Sequence, residues 1–321
     1  AMRIYVLALN EVFDTGLSTL LDTFSTANDL AESAGAVSTR FDVTLVGVRS
    51  RVRTSQGLSV PIRLASRLAR PEVVLVPALG AKMPDTLRVA LERRDVTDAQ
   101  ALLRHWSGGG TLAGAACTGT FVLAGTSLLN GQHATTSWWL APFFRERYPH
   151  VVLDDSRMVV SSSRFVTAGA ALAHLDLALW LVRRQSPALA ALTARYLVID
   201  PRPSQAAFAI PDHLAHSDPL VERFERWARR QLAQGFSLSE AARAVVTSER
   251  TLARRLQSVM GKSPLAYVQD LRVERAVHLL QTSSASVDQI AAQVGYADGV
   301  TLRTLIRRKI GRGVRELRAR D

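Results

Sequence analysis

The chain has a single cysteine, Cys117, in 321 residues. No intramolecular disulfide can form, so a reducing, cytoplasmic setting is expected. Metal-ligand patterns are missing too. There is no cysteine pair, no H-x-x-x-H and no clustered carboxylate motif, so no metal and no cofactor are expected. Gly108-Gly109-Gly110 is not followed by G-K-[ST] and makes no phosphate loop. No secretory signal is visible, because acids follow the short apolar run at the start of the chain. The uncharged stretch from Gly110 to Leu129 is long enough for a bilayer, but glycines, threonines and serines interrupt it. It reads as a buried strand, a turn and a buried helix, and a soluble chain without membrane contact is expected.

What is abundant is basic charge, and it is unevenly placed. Leu220 to Asp321 holds 19 Lys/Arg against 10 Asp/Glu, a surplus of nine out of the chain's twelve. A near-neutral body with a basic tail points to a polyanionic partner, of which nucleic acid is the commonest.

Over the first 200 residues short apolar runs alternate with helical periods. Strands are expected at Arg3–Leu9, Phe41–Val48, Glu72–Val76 and Thr111–Ala116, with a helix through Leu17, Leu20, Leu21, Phe24 and Ala27 and one from Asp85 to Trp106. This pattern predicts βαβ units: a mainly parallel sheet with helices on both faces, flavodoxin-like, over 2–200. Prolines crowd the segment 201–217, which reads as a linker. Residues 218–321 read as all-helical, with helices at Leu220–Leu232 and Pro264–Leu280 and capping boxes at Ser237–Glu240 and Ser286–Gln289.

The tail domain repeats itself. Thr251-Leu252 and Thr301-Leu302 each lie in a second helix that follows a short helix and a tight turn, and these second helices end at Gly261 and Gly311, fifty residues apart. Two helix-turn-helix units joined by one long helix are expected. In such units the second helix offers side chains to base edges and phosphates. The outward residues are Arg250, Thr251 and Arg254 in the first copy, and Val300, Thr301, Arg303, Thr304 and Arg307 in the second. Leu252, Leu256 and Val259, and Leu302, Leu305, Ile306 and Ile310, form the inner faces.

These features carry a resemblance. Ser248-x-Arg250-Thr251-Leu252, Gly261-x-Ser263-Pro264, Tyr267, Arg272 with Ala276 and Leu279-Leu280, Ile290-Ala291 and Val294-Gly295-Tyr296 together resemble the DNA-binding domain of AraC/XylS-family transcription regulators. The chain departs from that pattern at Leu305-Ile306 and in the ending GRGVRELR. The resemblance implies double-stranded promoter DNA as partner.

In the first domain, Cys117 follows a buried strand directly and precedes a helix, the position of a nucleophile elbow. The surrounding GGGTLAGAACTGTFVLAG, with Thr167-Ala168-Gly169 through Asp176, resembles the PfpI-type, class I glutamine amidotransferase-like domain. The resemblance implies an acid from beyond the first strand beside the cysteine, Asp14 in preference to Glu11. The elbow also places Cys117 at the crevice beyond the carboxyl ends of the strands, where it is expected to line a ligand pocket with Asp14, Thr118 and Trp138 or Trp139. Hydrolytic members place a base beside the thiol. Here Thr118 follows the cysteine, and Thr136-Ser137-Trp138 stands where fused regulators often read T-T-H-W. His133 and His174 are the histidines with access, each read first as solvated or structural. The expectation is therefore a regulator rather than an enzyme, holding a small-molecule effector and forming a homodimer through its α/β domain. The rival is a cysteine-dependent hydrolase or hydratase tethered to DNA.

Overall fold

The computed structural model describes residues 1–200, 202, 204–210 and 218–318. The chain divides into two compact units, Ala1–Leu140 with Tyr148–Pro203, and Ala141–Arg147 with Ser204–Asp321. Of the segment expected as linker, Pro201, Pro203 and 211–217 lie outside the described residues.

The first unit is built on β1 (Met2–Leu7), β2 (Phe41–Gly47), β5 (Arg63–Leu64), β6 (Val73–Val76), β7 (Leu112–Ala116), β10 (Val159–Ser162) and β11 (Phe165–Ala168). They form one sheet in the order β10-β11-β7-β6-β1-β2-β5. Every neighbouring pair is parallel except β10 and β11. From β2 to β11 this is the flavodoxin-like order, extended by one strand at each edge. Two small ladders, β3 (Val52–Arg53) with β4 (Ser59–Val60) and β8 (His133–Ala134) with β9 (Val152–Leu153), stand apart.

Alternate residues of β1 face opposite layers, which is why Ile4 to Leu7 are all buried. Ile4 and Val6 join Leu17, Leu20 and Phe24 of α1 (Asp14–Leu30) and Leu177 and Leu181 of α6 (Ala173–Gln185). Tyr5 points the other way and meets Trp106 edge-on, ring centroids 5.7 Å apart. The helix expected over 85–106 is two helices, α2 (Pro84–Leu91) and α3 (Arg94–Gly108). The break at Arg93 frees its guanidinium to bind Asp95, Glu11 and the Asn10 carbonyl at 2.6–3.1 Å. Periodicity alone does not register that anchor. Helix α7 (Pro187–Tyr196) packs with α1 and α6 on one face of the sheet and α4 (Gly119–Ala124) with α3 on the other; α5 (Ala141–Arg147) belongs with the second unit.

The second unit holds α8 (Pro219–Arg230), α9 (Leu238–Ala244), α10 (Glu249–Met260), α11 (Pro264–Thr282), α12 (Val287–Gln293), α13 (Gly299–Ile310) and α14 (Val314–Arg318). Asp218, Ser237, Ser248, Ser263, Ser286 and Asp298 each cap a helix by accepting a backbone N–H. Ser286 and Gln289 complete the expected capping box. Ser237 makes half of its own: its hydroxyl accepts from Glu240 at 3.4 Å and is shared with Ser239 at 3.0 Å. Among the described residues no helix is long and apolar enough to cross a membrane.

The two copies share a left-handed backbone position in the turn but fill it with different residues. Gly295 takes φ +85° in the second copy, and Val246 takes φ +58° at the equivalent place in the first. A left-handed backbone costs a residue with a Cβ roughly 1–2 kcal/mol, and Val246 is 90% exposed, so no packing compensates. Val246→Asn, which tolerates this conformation, should stabilise the helical unit by about 1 kcal/mol. A urea midpoint equal to or below that of wild type would contradict this.

Candidate functional site

The elbow is set by close packing. Gly119 opens α4 so near β6 that a Cβ there would run into the carbonyl oxygens of Val76 and Pro77. Immediately before Thr118 and this glycine, Cys117 is forced to φ +54°. Its N–H donates to Ala168 (3.0 Å) and its carbonyl accepts from the Thr136 hydroxyl (2.8 Å). A strained residue held in this way is a fixed feature of the unit.

The thiol is 4% exposed and shares a hydrogen bond of 2.8 Å with Ser137 Oγ. Burial pushes the Cys117 pKa up; the Ser137 hydroxyl, the Thr118 backbone and the Lys82 charge only partly oppose it. The sulfur is therefore a neutral thiol at neutral pH, and its partner is a hydroxyl that cannot act as a base. The motif does not single out Ser137. The signal that marks it is its place in Thr135-Thr136-Ser137-Trp138, where the T-T-H-W pattern has histidine.

The other expected members are placed as follows. Asp14 is the first residue of α1, and its carboxylate accepts from Ser55 Oγ (2.9 Å) and Gln56 N–H (3.1 Å). Burial acts to raise its pKa, but the hydrogen bonds from Thr54, Ser55 and Gln56 outweigh that and hold it below the usual value. No hydrogen bond joins Asp14 to Cys117. Glu11 pairs with Arg93 at 2.6 Å. Thr118 is fully buried and donates to the Leu79 carbonyl (3.0 Å). Trp138 is half-buried and stands edge-on to Trp139, whose indole N–H donates to the Lys82 carbonyl (2.8 Å). The Lys82 ammonium lies 5.1 Å from the centre of the Phe13 ring.

His174 is structural. Its Nε2 accepts the Ala78 N–H at 3.0 Å, which leaves the proton on Nδ1, where it is donated to the Ala171 carbonyl at 2.6 Å. Burial lowers its pKa to about 4. A neutral ring with both nitrogens engaged has no capacity left to activate a thiol. His133 is exposed on β8. Among the described residues no group of His, Cys, Asp and Glu is arranged to hold a metal ion.

In the second unit α10 buries Leu252, Leu256 and Met260, and α13 buries Leu302, Leu305 and Ile306. Met260 rather than Val259 completes the first inner face; Val259 and Ile310 are half-buried. The opposite faces leave Arg250 and Arg254 exposed on α10, with Thr251 half-buried against Ser248. Val300, Thr301, Arg303, Thr304 and Arg307 are exposed on α13. Arg307 lies 3.5 Å from Glu316. The long helix α11 ties both recognition helices, because Asp270 binds Lys262, just past the end of α10, and Lys309, near the end of α13.

A strained elbow cysteine on a parallel sheet and a duplicated helix-turn-helix define a two-part chain. Residues 2–184 match the DJ-1/PfpI family and residues 241–320 match a helix-turn-helix domain. The chain belongs to the DJ-1/PfpI family, with a helix-turn-helix domain attached. It is similar to the HTH-type transcriptional regulator GbdR of Pseudomonas aeruginosa, at 28% identity over 64% of this chain and 56% of the relative. It is similar also to the HTH-type transcriptional regulator ArgR of Pseudomonas aeruginosa, at 29% identity over 61% of each. The chain thus spans somewhat more than half the length of these curated relatives. Two solved structures share the fold. An AraC family transcriptional regulator from Pseudomonas putida (TM-score 0.51, 19% identity) is covered fully by 61% of this chain. Drosophila melanogaster DJ-1beta (TM-score 0.50, 17% identity) is covered fully by 63% of it.

Proposed function

We propose that this chain is a cytoplasmic transcription regulator: the helical unit binds double-stranded promoter DNA and the α/β unit binds a small-molecule effector and pairs with a second copy. The observation that carries the reading is the pair of recognition helices. Each buries one face and leaves an arginine-bearing face exposed, on the part of the chain that holds most of the positive surplus. Exposed guanidiniums at that position suit guanine edges and phosphates. The curated relatives, named as transcriptional regulators, support the same reading.

Sensing in the α/β unit is favoured over turnover by the protonated, enclosed state of Cys117 and its serine partner. Cys117, Thr118, Asp14 and Trp138 are the proposed lining of the effector site; Asp14 and Trp138 are its half-exposed members. An effector there would act through its differential affinity for DNA-competent and DNA-incompetent states. Residues 201–217 serve as the linker in this reading.

The test is titration of the full chain onto promoter DNA and onto random duplex over a range of salt. Affinity should fall steeply with salt. Arg254→Ala should weaken binding to the preferred promoter by roughly 1–3 kcal/mol and binding to random duplex by much less. Equal losses on both would reduce Arg254 to a phosphate contact, and no binding at low salt would end the regulator reading.

A further inference from the structure

The helix ahead of the duplication carries charge that neither recognition helix uses. On α8, Arg223, Arg226 and Arg230 are all set along one side, with Arg223 and Arg226 leading and Arg230 at the helix end. At 3.6 residues per turn they fall within about 60° of one another, in a stripe roughly 10 Å long. Trp227 lies beside them, and with Ala244 and Val245 they line a shallow groove of about 520 Å³. No acid lines that groove. Among the described residues none of the three arginines has an acidic partner; Arg230 donates to the Arg226 carbonyl. The neighbouring Arg229 differs, since it is bound by Glu225 and Glu274.

The stripe is held beside the first recognition helix. Asp218, which caps α8, also pairs with Arg255 of α10 at 3.0 Å. Ala244 and Val245 end the first helix of the motif, and the turn after them delivers the N-terminus of α10. The groove therefore opens next to the turn that leads into α10.

We propose that α8 is a third DNA-contacting element, in which Arg223, Arg226 and Arg230 grip the sugar–phosphate backbone flanking the groove that α10 enters. The proposal rests on the DNA-binding reading above. A duplex carries a negative charge about every 1.7 Å of its axis, so a stripe of this length faces several phosphates. Ion pairs to phosphate strengthen binding and fix register without reading sequence.

The test uses the full chain and a duplex of random sequence, about 40 base pairs long and so several times the span of one recognition helix, with affinity measured as a function of salt. Each arginine–phosphate ion pair removed lowers the slope of log affinity against log salt by about 0.9. The triple variant Arg223→Gln, Arg226→Gln, Arg230→Gln should therefore lower the slope by about 2 to 3 and weaken binding at least about ten-fold near 0.1 M salt. Arg104→Gln, an exposed change on α3 of the other unit, should leave the slope unchanged. Thermal unfolding of the triple variant checks that it folds, and the single Arg226→Gln, with a slope change of about 1, replaces it if it does not. Wild-type binding with a steep slope that the variants fail to reduce overturns the α8 proposal alone. Failure of the wild type to bind the duplex overturns both readings.

Discussion

Arg272→Leu is expected to cost the helical unit about 3–4 kcal/mol. Arg272 is 7% exposed, and its guanidinium donates to the carbonyls of Leu232 (3.1 Å) and Gln234 (2.6 Å). The same group lies over the Tyr296 ring, 5.3 Å from its centre. One side chain of α11 thus joins the segment after α8 to the turn of the second helix-turn-helix. Hydrogen bonds from a charged donor are worth about 1.5–3 kcal/mol each, and leucine leaves both carbonyls without their partner. Denaturant unfolding of wild type and variant measures the cost. Arg272→Lys should recover part of it, because an ammonium keeps the charge but lacks the planar fork. A loss below about 1 kcal/mol would show that water satisfies the two carbonyls without Arg272.

The second large effect is acid sensitivity of the α/β unit. His174 has a folded pKa of about 4, lowered by burial from 6.5. The unfolded chain therefore takes up the proton first as pH falls. The stabilisation from the neutral ring is fully present above pH 6.5 and is lost progressively down to pH 4. The difference of about 2.5 units corresponds to about 3 kcal/mol. His174→Gln can offer an acceptor to Ala78 and a donor to Ala171 without titrating. Its unfolding free energy should fall less than that of wild type as pH is lowered from about 7 to about 4.5. Parallel pH profiles for the two proteins would remove His174 as the origin.

What can be read from the sequence depends on local physics. The helix-turn-helix pair is legible because capping residues, inner-face periodicity and the turn all lie within a few residues of one another. Asp298 and Ser248 cap the two recognition helices, and Leu302 and Leu252 turn inward as the period requires. The elbow is legible because a buried strand, Cys117 and a helix-opening glycine follow in close succession. The partner of the thiol is not, since Ser137 lies twenty residues away and reaches Cys117 only through the tertiary fold. The short ladders β8–β9 and β10–β11 also escape, as strands of two to four residues carry no period to detect. In β10 the ladder ends in Ser161-Ser162, paired to Val166 and Phe165 across a hairpin that the apolar pattern does not announce.

The enclosed elbow makes the sulfur a reporter. The chain's sole thiol is Cys117, so any thiol-directed alkylating reagent that modifies the protein modifies that sulfur. With 4% exposure and a protonated sulfur, the reaction must wait for the segment around it to open. The labelling rate is then a clock for opening events within the α/β unit. A ligand that holds the elbow shut would slow that clock in proportion to how strongly it binds, before anything is known of its chemistry.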